Sequence, residues 1–229
     1  GIRRRGHAYG QTALVAAVAH ERPHEGTAPQ FFMPSGPLAI LPLTGNRSSI
    51  VWSETDETAR AIAALDDEGF LQALRPRFGA FLGRIALAGP RFAYPLTLTL
   101  AESYVAPRLA LVGDAAHGVH PIAGQGLNLG LRDVAALAEV TVAAHRRGED
   151  IGAPDVLERY QSWRRFDSTA LALGMDGVNA LFSNDLWPLR AARDAGLGLV
   201  NRVAPLRRAF IRQAAGLTQG AKLLAGQSL

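Results

Sequence analysis

The sequence predicts an α/β protein, α+β in arrangement over the 229 residues given, with an antiparallel sheet first and helices last. Three observations carry that expectation. Turn-forming links separate the extended runs of the first hundred residues, and links so short join antiparallel neighbours rather than parallel strands. A wholly apolar run, Leu109–Val112, leads through a glycine-punctuated loop into a helical pattern. From Pro154 onward the apolar spacing is helical.

In chain order, Gln11–His20 is small and β-branched and reads as a strand, broken by the turn-rich Glu21–Pro29. Gln30–Met33, Pro37–Leu43 and Arg47–Ser53 follow, parted by Pro34-Ser35-Gly36 and Thr44-Gly45-Asn46. Thr55–Leu65 and Glu68–Arg75 read as helices, the second ending before Pro76. Phe92–Leu100 is extended again, with Leu96, Leu98 and Leu100 alternating with Thr97 and Thr99. Leu109–Val112 suits a strand buried on both faces.

A helix is expected from about Gly126 to Arg147, with Leu127, Leu131, Val134, Ala138 and Val142 at helical spacing. His145, Arg146 and Arg147 in its last turn, and Gly148 after it, form a C-terminal signature. Val156, Tyr160, Trp163 and Phe166 mark one face of the next helix. Asn184-Asp185 and Trp187-Pro188 interrupt the pattern, and amphipathic stretches around Leu189–Leu199 and Leu206–Leu224 complete the chain. The domain organisation expected is therefore a mostly antiparallel sheet at 1–100, a strand-loop-helix segment at 101–150 and a helical region at 151–229.

Composition excludes several classes. Hydrophobic residues are 48% and charged residues 19%, so the chain is neither disordered nor a polyelectrolyte. Without cysteine there is no disulfide scaffold, thiolate metal site or cysteine nucleophile. No apolar run approaches the ~18 residues of a membrane-spanning helix. The net charge of +4 does not point to nucleic acid, because the arginines are scattered and no basic stripe carries interleaved aromatics. Gly1, followed at once by Arg3, Arg4 and Arg5, has neither an initiator Met nor a signal-peptide core, and reads as a sequence that begins mid-protein.

The chemistry is concentrated in Leu109–Asp133. A carboxylate, Asp114, stands just past the apolar run, where an acidic side chain can accept hydrogen bonds from sugar-alcohol hydroxyls. Gly124 and Gly126 let a ligand approach the backbone. The N–H groups of Gly126, Leu127 and Asn128, with the helix dipole behind them, favour an anion or a ring carbonyl gaining negative charge. Taken singly, a Gly-Asp is a tight turn and a Gly-x-Gly is a helix-entry loop; the combination is what carries information. His117 and His120 lack a credible third ligand nearby, so no metal is expected. Trp52, Phe92 and Tyr94 are candidates for a substrate cavity, with packing in the core as the open alternative.

Gly113-Asp114-Ala115-Ala116-His117, Pro121, Gly124-Gln125-Gly126-Leu127-Asn128, Gly130 and Asp133 together closely resemble the second FAD-binding motif of the p-hydroxybenzoate-hydroxylase-like, class A flavin monooxygenases. Tyr9–Ala13, Phe32-x-Pro34-x-Gly36-Pro37, Leu41-Pro42-Leu43 and Asn46–Trp52 resemble the ubiquinone-biosynthesis branch of that family. The resemblance covers essentially the whole chain. It implies the FAD/NAD(P)-binding fold of p-hydroxybenzoate-hydroxylase type, with residues 1–100 as the substrate domain, 101–150 completing the FAD domain and C-terminal helices after it.

The activity implied is hydroxylation of the aromatic ring of a polyprenylated phenol, with FAD as cofactor, NAD(P)H and O₂ as co-substrates, and oxygen transfer through a flavin C4a-hydroperoxide. By the family pattern Asp114 contacts the ribityl chain, Pro121 lies beside the isoalloxazine, and Gly124, Gln125, Gly126, Leu127 and Asn128 face its N1 and C2 carbonyl side. Arg108 matches a frequent family arginine, with a surface ion pair as the open alternative. The family's opening Gly-x-Gly-x-x-Gly and later Asp-Gly motif are not found here, so tight FAD binding and turnover by these residues alone are not expected. A hydroxylase of a soluble aromatic compound, or a non-catalytic assembly subunit keeping the fold, fits the same residues. The basic, amphipathic 206–224 stretch suits peripheral contact with a membrane or a ubiquinone-synthesis complex, on a cytoplasmic protein held at the inner membrane.

Overall fold

A computed structural model describes residues 1–121, 124–182, 196, 198, 200, 202–214 and 221–229. The breaks expected at Asn184-Asp185 and Trp187-Pro188, and the stretch around Leu189–Leu199 apart from positions 196 and 198, lie outside the described residues.

The elements are β1 (Arg4–His20), β2 (Gln30–Met33), β3 (Gly36–Leu43), β4 (Arg47–Thr55), α1 (Asp56–Ala63), α2 (Asp67–Phe78), β5 (Ile85–Ala101), β6 (Val105–Ala106), β7 (Leu109–Ala110), a 3₁₀ turn at Gly113–Ala115, β8 (His117–Gly118), α3 (Gln125–Arg146), α4 (Pro154–Phe182), α5 (Ala204–Ala214) and a 3₁₀ turn at Lys222–Ala225. They form two compact units. One comprises Gly1–His7, Thr97–Val178 and the described residues of Ala191–Leu229; the other comprises Ala8–Leu96 and the described residues of Asn179–Arg190.

In the Ala8–Leu96 unit the strand order is β2-β3-β4-β1-β5, with β2–β3, β3–β4 and β4–β1 antiparallel. Register places Leu14 and Leu38 on either side of Trp52, and Ala16 and Ile40 on either side of Ile50. These are the inward positions of the period-2 pattern, and the six core residues of α1 and α2 (Ala59, Ile62, Phe70, Leu71, Leu74 and Phe78) join the same core. Thr55 caps α1 by accepting the Thr58 N–H, and Asp66 caps α2 by accepting the Gly69 N–H at 2.9 Å. The expected end of α2 before Pro76 is corrected: the helix runs on to Phe78. Phe78 is fully buried and stacks on Phe81, and that burial outweighs the backbone bond proline cannot donate.

In the other unit β8 pairs with the end of β5, Thr99 opposite Gly118 and Leu100 opposite His117. The core gathers Ala101, Tyr104, Ala116, Ala136 and Tyr160, with Leu111, Val112 and Leu137 half-buried against it. Three expectations are corrected here. Leu109–Val112 is not a strand buried on both faces. Only Leu109–Ala110 is strand, paired with β6 in a tight ribbon turned by Arg108 at φ 57°, and Leu109 is exposed.

The second correction concerns α3, which buries Leu129, Arg132, Asp133, Ala135 and Ala136 and turns Leu127, Leu131 and Val134 to solvent. The third concerns α4, which buries Val156, Leu157, Tyr160, Arg164 and Ser168 while Trp163 and Phe166 face out. In both helices a polar contact between them selects the inner face, as shown below. The C-terminal signature of α3 is present, with the Gly148 N–H on the His145 carbonyl at 3.0 Å and φ 72° at Gly148. No helix among the described residues is long and apolar enough to cross a membrane.

Candidate functional site

The 113–128 segment leaves the β7 ribbon, turns, touches the sheet at β8 and enters α3. Gly113 makes the first turn possible: its φ is 57°, and its Cα faces that of Gly130 so closely that side chains on both would separate loop from helix. Asp114 follows, exposed, and its carboxylate has no partner among the described residues. The Asp114 carbonyl is held by Arg4, whose Nη2 donates to it and to Thr99 Oγ1, each at 2.7 Å.

Gly124 is the N-cap of α3 at φ 60°, ψ 24°, and supplies no capping side chain. The first-turn N–H groups of a 22-residue helix therefore remain available to a ligand, backed by the helix dipole. The space a side chain would take at Gly124 is open, with no atom within 4 Å. Pro121 is exposed, and its carbonyl accepts the Gly124 N–H at 2.9 Å. Leu127 and Asn128 are exposed and Gly126 half-buried; the Gln125 side chain lies outside the described residues. A carboxylate without a partner among the described residues can accept hydrogen bonds from hydroxyls, and a helix start without a side-chain cap can donate them to an electron-rich carbonyl.

What holds this segment is a buried polar network that joins His117, expected from the motif to fix the loop, to Asp133 and Arg164, a pairing sequence reasoning did not show. Asp133 on α3 is fully buried and accepts three hydrogen bonds: from the Gly113 N–H at 2.9 Å, from His117 Nε2 at 2.6 Å and from Arg164 Nε at 2.8 Å. Burial alone pushes the Asp133 carboxyl up, but His117, Arg164 and the Gly113 N–H outweigh it and hold the group below the usual carboxylate range. Arg164 continues to Asp167 Oδ2 at 2.6 Å and Ser168 Oγ at 3.3 Å. Tyr160 donates its hydroxyl to the Leu111 carbonyl at 2.7 Å; burial and the nearby Asp133 charge push that hydroxyl's pKa up, so it stays a donor. His117 thus fixes the loop through Asp133. Asp133 lay within the quoted motif and Arg164 within an arginine pair, but neither position alone signals a partner.

The aromatic candidates separate. Trp52 is a core residue, not a cavity wall: it is fully buried, edge-on to Phe70, and its indole N–H donates to Glu54 at 3.0 Å. Phe92 and Tyr94 share one face of β5, half-exposed, with ring centroids 6.3 Å apart and nearly parallel. Arg108 forms an exposed ion pair with Asp150 at 2.6 Å, the surface alternative left open for it.

The family model described as "FAD binding domain" matches residues 8–172. The chain belongs to this family. Within the FAD-binding domains it is 53% identical over 216 residues to "Ubiquinone hydroxylase UbiL" of Rhodospirillum rubrum, covering 94% of this chain and 50% of that protein. It is 41% identical over 211 residues to "3-demethoxyubiquinol 3-hydroxylase" of Escherichia coli, covering 91% of this chain and 53% of that protein. The chain thus spans about half the length of these relatives. Its fold is shared with p-nitrophenol 4-monooxygenase of Pseudomonas putida at a TM-score of 0.75 and 19% identity, over 95% of this chain and 55% of that one. The cofactor that goes with the family is FAD.

Proposed function

We propose that this chain forms the flavin-ring side of an FAD-dependent monooxygenase that hydroxylates the aromatic ring of a polyprenylated phenol in ubiquinone synthesis, with NAD(P)H and O₂ as co-substrates. The observation that carries the reading is the held loop at 113–121 with the start of α3, where the Asp114 carboxylate has no partner among the described residues and the helix has no side-chain cap, in a chain 53% identical to a ubiquinone hydroxylase. Bound FAD supplies redox chemistry that no side chain here possesses.

The chain's own residues bind and orient. Asp114 accepts hydrogen bonds from the ribityl hydroxyls, Pro121 borders the ring, and the backbone of Gly124, Gln125, Gly126, Leu127 and Asn128 meets the N1 and C2 carbonyl side. The dipole of α3 there stabilises negative charge on the reduced ring. Phe92 and Tyr94 offer an aromatic surface to an apolar substrate.

A substrate dissolved in a bilayer calls for peripheral contact with the inner membrane from the cytoplasmic side, or with other proteins of the same synthesis. The support is α5 and its approach. Val203, Leu206 and Ile211 are exposed apolar residues, Arg202, Arg207 and Arg208 are exposed arginines, and residues 202–214 contain no acid. Each basic residue near an anionic surface contributes ~1 kcal/mol. The side chains of Phe210, Arg212 and Leu217, also expected on that surface, lie outside the described residues.

The test uses purified full-length protein with NAD(P)H, isotopically labelled O₂ and a short-chain polyprenyl phenol in anionic vesicles. The expected product is the phenol carrying one labelled oxygen. NAD(P)H consumption without labelled phenol, or faster labelling of a soluble aromatic acid, would overturn the reading.

A further inference from the structure

Beside the network that holds the Asp114 loop, α3, α4 and the C-terminal segment line a partly open cavity of about 250 Å³. Its charged walls are Arg132, Arg164 and Asp167, two cations against one anion. Arg164 has its donors engaged by Asp133, Asp167 and Ser168. Arg132 does not. It is 93% buried, donates to no hydrogen-bond acceptor among the described residues, and its nearest carboxylate oxygen there is Asp167 Oδ2 at 3.6 Å, which Arg164 Nη1 already occupies at 2.6 Å. A largely buried guanidinium whose counter-charge is distant and shared is only partly compensated, and an anion or water that reaches its donors stabilises it.

Trp163 and the apolar Ala136, Ala221 and Leu224 line the rest of the space. The C-terminal segment that lines it is tied to α3, since Arg146 donates to the Leu229 carbonyl and the Leu223 N–H reaches Glu139 Oε1 at 3.4 Å. We propose that this cavity binds a small oxyanion, a carboxylate or a phosphate group, through a fork of hydrogen bonds from Arg132, with any short carbon portion against Trp163 and Leu224. Planar guanidinium donors match both oxyanions in a two-pronged geometry. The volume admits a small solute and falls below the range of drug-sized ligand sites.

The proposal is independent of the flavin reading and can fail separately from it. Purified full-length protein is titrated with sodium phosphate and, in a second arm, sodium acetate, each against sodium chloride at matched ionic strength. Thermal unfolding and Trp163 emission are followed, and Trp163→Phe identifies the local signal. The expected result is saturable, one-site binding of one oxyanion with a Tm rise of roughly 5 °C at a hundredfold excess over Kd. Response in the phosphate arm alone assigns phosphate; response in the acetate arm assigns carboxylate. Arg132→Gln, with wild-type circular dichroism, is expected to lose the response. If that variant does not fold, Leu224→Trp, placed at an exposed rim position, fills the cavity and is expected to abolish binding instead. Chloride acting as well as both oxyanions, or a response that survives in the folded variant, would overturn the proposal.

Discussion

The two units of this protein divide differently between apolar packing and buried polar contacts. In the Ala8–Leu96 unit, fifteen buried apolar and aromatic residues pack a strand face against two helices, and the buried Glu54 carboxylate is met by Trp52 and Arg77. In the unit carrying the candidate site, five buried residues form the apolar core, and beside it sits an ion-paired network in which one carboxylate joins a loop, a histidine and a second helix. Apolar packing tolerates adjustment, whereas a buried charge demands every one of its partners. The difference teaches where rigidity is spent: the sheet unit rests mainly on apolar burial, and the loop bearing Asp114 is positioned because it is bonded.

The largest way to break that contrast is Asp133→Ala. It strands Arg164 and His117 without their acceptor and is expected to cost ~3–5 kcal/mol, measured by urea denaturation. Because it also frees the Gly113 N–H, FAD affinity of the folded fraction should fall with stability. Leu74→Ala, in the fully buried core of the sheet unit, is expected to cost ~2–5 kcal/mol by leaving a cavity. Its FAD affinity per folded molecule should match wild type. Equal loss of FAD affinity in both variants would erase the distinction between the units.

A smaller effect sharpens the same point through pH. The Asp133 carboxyl is held below its ordinary value of 3.8 in the folded protein, so the folded state binds its proton less readily than the unfolded chain does. The stability this provides is complete above that ordinary value and is lost as pH falls through the depressed folded one. Below pH 4, wild type should therefore lose stability more steeply than Asp133→Asn, which has no proton to take up at that position. Parallel acid limbs in the two proteins would show that the network does not titrate with folding.

The contrast also explains what was legible in the sequence. Strands β2, β3 and β4 follow from turn residues and period-2 patterning, since the forces that form them are the ones patterning encodes. Strand β1 begins as early as Arg4 because its polar start pairs without being buried, and burial is what the pattern reports. In α3 two stripes have helical spacing, Leu127–Leu131–Val134 and Leu129–Asp133–Ala136, and hydrophobicity selects the first. The structure selects the second, because Arg164 lies at a matching inward position of α4. A pairing across 31 residues leaves no local trace. The site motif itself, Asp133 included, was legible as a string; the roles of Arg4 and Arg164, and the bonds Asp133 makes, were not.

The central claim is that this polar network presents Asp114 to FAD, and Asp114→Ala tests it most directly. Asp114 is exposed and makes no side-chain bond among the described residues, so the variant should keep wild-type circular dichroism and Tm. Its charge-assisted bonds to ribityl hydroxyls are worth ~1.5–3 kcal/mol, and calorimetric titration of the full-length apoprotein with FAD should show an affinity loss reaching about a hundredfold at the upper figure. An unchanged FAD affinity in the folded variant would contradict the account.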